Sequence, residues 1–305
     1  MRHIYWLTVS LSCCAALLVG SWQLLALSAQ GATKPAPLYQ RATPTAQPAT
    51  ASAPVTVTFA AQSLRAALSQ VRHAAAEGQA RPSLTGVLFE IDDDGARIVT
   101  TDGVRLAIRG VALVGTAPPK LRALLPETLV DELLDVLDGT DEQVDLLWLP
   151  ALNRVQVHVG GALFDAPLPA GVYPDISPLL NLTYTTVVTL ERAALLTALH
   201  ANADLLRSDS ATLSMGFSGS NHQGQTELAP LERANTSAHW PRQISSTVTG
   251  PPQKVLLNGH LLAVAVRSLH SDEIVFDLRG PTYPLRVRGV GQKLRDERVL
   301  MPMNP

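Results

Sequence analysis

From Val55 to the C-terminus the chain sets out one order of elements four times: an apolar strand, an amphipathic helix, then three strands. Units that each leave a sheet face and a helix stripe exposed must pack against one another, so this order points to an α+β fold. Val55–Phe59 alternates as a strand, and Leu64, Leu68 and Val71 then fall at helical spacing over 61–75. Strands follow at 86–91, 97–101 and 104–111, and Asp102-Gly103 marks a hairpin in which both central residues tolerate positive φ. A second helix, 126–137, lines up Leu129, Leu133 and Leu137, with Glu127 and Asp131 in its first turn. Strands at 144–149, 154–159 and 161–166 complete that half, and a Pro-containing connector covers 168–181.

The second half repeats the scheme. A strand at 186–190 leads into a helix over 191–206, and three strands follow between 211 and 240. The fourth unit has a strand at 254–257, a helix at 259–270 and strands at 273–278, 285–290 and 297–301. Two units make one domain, so the expected domains are 55–182 and 183–305, each a pseudo-two-fold repeat.

Ahead of this body, Ile4 to Leu27 carries no charge and follows a short basic start. The run is long enough to span a bilayer core, which takes about 20 apolar residues. Residues 1–32 therefore read as a transmembrane anchor, with a cleaved signal ending in the small residues 28–32 as the alternative. Residues 33–54 are rich in Pro, Ala and Thr and read as an extended linker. Both cysteines, Cys13 and Cys14, lie in the apolar run, so the body has no disulfide and no thiolate metal site. The net charge of −2 is not that of a compact nucleic-acid binder.

Five stretches resemble the bacterial DNA polymerase III beta subunit, the beta sliding clamp family, over its second and third domains. Arg81-Pro82-Ser83-Leu84-Thr85-Gly86-Val87-Leu88-Phe89-Glu90 is similar to the family's RPxLTGVLFE strand. Thr101-Asp102-Gly103-Val104-Arg105-Leu106-Ala107 resembles its TDGHRLA turn, with Val104 where the family usually has His. Gly171-Val172-Tyr173-Pro174-Asp175, Leu257-Asn258-Gly259-His260-Leu261-Leu262 and Val299-Leu300-Met301-Pro302-Met303 are similar to its G-x-F-P-D, FNxxYLL and VxMPM words. The family's first domain has no counterpart in this sequence, and its usual final Arg and Leu are Asn304 and Pro305 here.

The resemblance implies two DNA-clamp domains, no catalytic site and no cofactor or metal. It implies a processivity factor of DNA replication that binds DNA without sequence preference and docks peptide motifs of polymerase, clamp-loader or repair proteins. The peptide groove would use Leu84, Thr101, Gly103, Arg105, Leu106, Val299, Met301, Pro302 and Met303. DNA-facing cations would be Arg65, Arg72, Arg192, His200, Arg207 and Arg267, a thin lining that the acidic helix at 127–135 opposes. The alternative function is a membrane-tethered protein-binding module of clamp fold that never encircles DNA. The family's role places the chain in the cytoplasm and the apolar run places it at a membrane; a homo-oligomer is the remaining expected partner. Asp92-Asp93-Asp94-Gly95 lacks the alternating ligands of a Ca²⁺ loop and reads as a hairpin turn.

Overall fold

The computed structural model describes residues 53–78, 81–93, 95–116, 120–201, 211–220, 223–231 and 240–304. The apolar run, nearly all of the linker and Arg207 lie outside the described residues.

The first half opens with β1 (Val55–Ala60) and α1 (Ala61–Arg72). A single helical turn, α2 (Pro82–Thr85), then precedes β2 (Val87–Asp92), β3 (Gly95–Thr101) and β4 (Arg105–Val111). After the two-residue β5 (Leu113–Val114) come β6 (Leu121–Leu125), α3 (Glu127–Val136), β7 (Gln143–Leu149), β8 (Arg154–Val159) and β9 (Ala162–Pro167). The one-turn α4 (Ser177–Leu180) sits in the connector. The second half runs β10 (Thr186–Glu191), α5 (Arg192–His200), β11 (Thr212–Ser220), β12 (Gln223–Pro230), β13 (Arg242–Thr249), β14 (Gln253–Asn258), α6 (Gly259–Arg267), β15 (Glu273–Leu278), β16 (Leu285–Gly289) and β17 (Asp296–Leu300).

The α+β class and the fourfold order hold. The second unit's opening strand is β6, whose Leu-Arg-Ala-Leu-Leu alternates with Leu121, Ala123 and Leu125 inward, so that unit begins ahead of the helix at which its periodicity first shows. The last strand before β14 is β13, wholly beyond residue 240. The Asp102 turn also differs from expectation: only Gly103 has positive φ, at +91°, and four residues, 102–105, lie between the closing pair Thr101 and Leu106. Asp92 pairs with Gly95 where β2 meets β3, and Asp94 lies outside the described residues.

Strands form two sheets, one of five in the order β5-β1-β7-β8-β9, and one of twelve, β14-β11-β12-β13-β10-β15-β16-β17-β4-β3-β2-β6. The twelve-stranded sheet crosses from one half to the other where β17 pairs antiparallel with β4, Asp296 opposite Arg109 and Leu300 opposite Arg105. Each half has its own core. In the first, Leu64, Leu68 and Val71 of α1 and Leu129, Val130 and Leu133 of α3 bury against both sheets. Phe59, Phe89 and Trp148 stack edgewise at its centre, centroids 6.0 and 5.8 Å apart. In the second, Leu195, Leu199, Leu262 and Val266 bury against the twelve-stranded sheet around Phe217 and Phe276. The two helices of each half pack on each other. A third, smaller cluster joins Leu84, Leu88, Val99, Leu106 and Ile108 to Tyr173 and Ile176 of the connector and to Val299 of β17. It is the apolar seam between the halves, and the candidate site lies over it.

Candidate functional site: a split cleft around the Asp102 turn

One carboxylate shapes the β3–β4 turn. Asp102 Oδ1 accepts the backbone N–H groups of Val104 and Arg105 at 2.8 and 2.9 Å, the pattern that makes Asp a turn residue. Its Oδ2 takes Arg105 Nε at 2.9 Å. The Thr101 hydroxyl donates to the Arg105 carbonyl at 2.6 Å and accepts the Gly103 N–H at 3.1 Å. A Cβ on Gly103 would stand 2.8 Å from Arg81 Nη1, so glycine serves both the positive φ and the close approach of that guanidinium.

The C-terminal segment is laced to this turn. Met301 N–H donates to Val104 O at 2.9 Å, and Met303 N–H donates to Leu256 O of β14 at 2.7 Å. From the other side the connector is held by Arg122, which donates to the carbonyls of Tyr173 and Pro174 at 3.4 and 3.3 Å while its Nε meets Glu90 at 3.0 Å.

Two clefts flank the turn. The first, about 310 Å³, lies between Arg81, Ser83, Leu84, Thr101 and Gly103 on one side and Val172, Pro174, Asp175, Ile176 and Leu179 of the connector on the other. The second, about 240 Å³, is lined by Asp102 and Val104 of the turn, Leu257, Asn258 and Leu261 at the start of α6, and Leu300, Met301 and Met303 of the tail. Asn258 Oδ1 caps α6 by accepting the Leu261 N–H at 2.9 Å.

The residues expected for the groove thus divide. Leu84, Thr101 and Gly103 line the first cleft and Met301 and Met303 the second. Leu106 and Val299 lie beneath in the seam cluster, 1% and 0% exposed. Pro302 is buried between the two methionines, and Arg105 is turned onto Asp102. Sequence reasoning did not name Arg81, Val172, Ile176, Leu179, Leu257 or Leu261, although four of these six belong to the words that carried the family resemblance.

The described cations among those expected to face DNA are engaged. Arg72 ion-pairs with Asp131 at 2.8 Å and with Glu127, and the bond to Asp131 holds its guanidinium above its ordinary pKa. Arg65 Nη2 lies 3.0 Å from Asp138. α3 exposes Glu132 and Asp135 besides, so the α1–α3 surface is acidic. In the second half Arg192 Nε donates to the Ser271 carbonyl at 2.9 Å, and Arg267 Nη2 approaches His200 Nε2 at 3.1 Å. Among the described residues no group of three or more His, Cys, Asp or Glu could hold a metal ion.

Residues 58–175 match the family model of the DNA polymerase III beta subunit, central domain. The match takes in the Asp102 turn and the first cleft's lining except Ile176 and Leu179. Over this stretch the chain is similar to the beta sliding clamp family. The beta sliding clamp of Staphylococcus epidermidis is 25% identical over 223 residues, 72% of this chain and 57% of that protein. The Proteus mirabilis clamp is 31% identical over 134 residues, 44% of this chain and 36% of that one. The chain therefore spans less than two thirds of the length of these clamps. Among solved structures, the Bacillus subtilis sliding clamp superposes with a TM-score of 0.71 at 19% identity, over 82% of this chain and 64% of that chain. A Pseudomonas aeruginosa clamp bound to griselimycin gives 0.70 at 20% identity, over 82% and 66%. These likenesses show the clamp fold.

Proposed function

We propose that this clamp-family chain is a non-catalytic docking platform, and that short extended peptide segments of replication or repair proteins bind across the Asp102–Val104 ridge with one side chain in each cleft. The observation that carries this is the pair of apolar clefts on either side of one rigid turn. Clefts of this kind, with few polar groups and a methionine wall that adapts to its occupant, are what peptide side chains need. On this reading 55–182 and 183–305 act as the two clamp domains, and the seam between them carries the site. The test is fluorescence anisotropy with peptides in which a variable first residue, Gln among them, precedes Leu and an apolar pair. Binding is weak but saturable, and Arg105→Ala with Met303→Ala, which frees the turn and removes one wall, reduces it. Absence of binding by every peptide, or equal binding by the double variant, overturns the reading.

A second reading, a processivity factor that holds DNA, is favoured by the likeness to sliding clamps, and the acidic α1–α3 surface counts against it. Attachment through residues 4–27 is part of the docking proposal, supported by the length and charge-free composition of that run. Among the described residues no helix is long and apolar enough to cross a membrane. Fractionation of cells expressing the full chain and the chain without residues 1–32 tests it: only the full chain sediments with membranes.

A further inference from the structure

The two clefts differ in chemistry, and the difference is sharpest in the second. Six of its side chains are apolar: Val104, Leu257, Leu261, Leu300, Met301 and Met303. Its two polar side chains are already committed. Asp102 spends Oδ1 on two backbone N–H groups and Oδ2 on Arg105. Asn258 caps α6 with its oxygen and has a further interaction besides. On the ridge, the Val104 carbonyl accepts the Met301 N–H at 2.9 Å. A polar side chain entering here would leave its hydration behind and find no side-chain partner released to replace it, whereas an aliphatic one would lose nothing. The two positions that most determine this, Val104 and Leu261, stand where a His and a Tyr occur in the family words to which this sequence is similar.

The first cleft has a different character. Arg81 lines it with its guanidinium drawn over Gly103. Asp175, across the cleft, accepts the Ser177 N–H at 2.9 Å. A cation at the ridge end of an apolar cleft suits an occupant that carries a carboxylate beside its apolar anchor.

We propose that the second cleft is an aliphatic-selective subsite, so that the segments docking on this chain carry Leu or Met, and not an amide or other polar residue, at the position that crosses the ridge into it. The proposal rests on the peptide-docking reading above and narrows its ligand class to acidic–aliphatic peptides.

The experiment uses the full chain in detergent and one family of fluorescent peptides: X, then Leu, Asp and the apolar pair Leu-Phe, with X as Leu, Met, Gln or Ser. The Leu and Met peptides bind about tenfold tighter than the Gln and Ser peptides, the range a hydrophobic subsite commands. Val104→His together with Leu261→Tyr, both at half-buried positions, brings donors to the cleft and narrows or reverses that preference while leaving the melting curve close to the parent's. Val172→Ala, at a 46% exposed position in the first cleft, weakens all four peptides alike and leaves the preference intact. Saturable binding with Gln equal to or tighter than Leu overturns the aliphatic subsite and leaves the docking reading standing. Binding of none of the four overturns both.

Discussion

Arg298 Nη1 stands 2.8 Å from Asp296 Oδ1, and water reaches neither side chain. Residues two apart on a strand share a face, and here that face is turned into the junction of the two halves. Arg298 also donates to the Ile108 carbonyl of β4 at 3.2 Å and to the Ser268 carbonyl and hydroxyl behind α6 at 3.0 and 2.7 Å. Arg109 Nη1 adds a second cation 3.2 Å from Asp296 Oδ2. Burial pulls the Arg298 pKa down and Asp296 opposes that.

Removing the anion alone is therefore the damaging change. Asp296→Ala leaves Arg298 buried without its carboxylate, with the partly exposed Arg109 as the neighbouring cation, and lowers the unfolding free energy by about 3–5 kcal/mol. Asp296→Leu with Arg298→Met replaces the pair by apolar volume and costs much less. Urea denaturation of both variants checks this; an Asp296→Ala protein within about 1 kcal/mol of the parent is incompatible with a pair this deeply buried.

His73, which follows α1, predicts an acid-sensitive fold. Burial, and then the fields of Arg298 and Arg105, push its pKa down to about 3. In the unfolded chain it titrates near its ordinary value of about 6.5. Between those values the unfolded state takes up a proton that the folded state refuses, so this group erodes stability as pH falls from about 6.5 towards 3, by up to about tenfold in the unfolding constant per unit. His73→Leu should flatten the dependence of the melting temperature on pH between about 6.5 and 4; an unchanged slope would assign the acid sensitivity to other groups.

The acidic α1–α3 surface makes a prediction about DNA. Glu132→Lys with Asp135→Lys raises affinity for double-stranded DNA several-fold at low salt and steepens its salt dependence, whereas Arg72→Ala, removing a cation already bound to Glu127 and Asp131, leaves it nearly unchanged. Anisotropy at two salt concentrations reads both. A sharp loss on Arg72→Ala would mean that this surface meets phosphates after all.

Assembly turns on β9, which closes one side of the five-stranded sheet. It exposes Leu163 at 56%, but it also carries Pro167 and an Asp165 held by Arg154 at 2.8 Å, features that blunt an edge. Residues 50–305 should sediment mostly as a monomer. A stable trimer retained on nicked circular but not linear DNA would show that β9 is used for ring closure.

Much of this architecture was legible because its periodicities are clean: Leu129, Leu133 and Leu137 share one helix face, and alternating strands flank the Asp102 turn. β6 escaped because Leu121–Leu125 runs directly into the helix through Pro126, with no turn residue to separate them. The site was half legible. The turn and tail were conspicuous as words, but which of their side chains reach a cleft depends on where the tail leaves the sheet: Met301 and Met303, beyond the end of β17, line the second cleft, while Leu106 and Val299 lie within the paired strands and in the seam cluster. Leu261 and Ile176 reach the site only because β17 inserts beside β4 and brings α6 and the connector to the same turn, a long-range pairing that no local pattern encodes. The ion pairs of Arg65 and Arg72 were hidden for the same reason, since spacing along α1 says nothing of what α3 offers across the gap.

The pairing of β4 with β17 also has a consequence for how the chain is made. Ile108 and Arg298 are separated by 190 residues, so during synthesis the first half leaves the ribosome with the β4 edge complete and its partner unmade. At about 5–20 residues per second that edge waits some ten seconds or more. Throughout that interval it is a hydrogen-bonding template open to any extended chain nearby. A nascent-chain ligand or chaperone that shields β4 would be released by the arrival of β17, the same event that builds the second cleft, so competence to bind and completion of the polypeptide coincide.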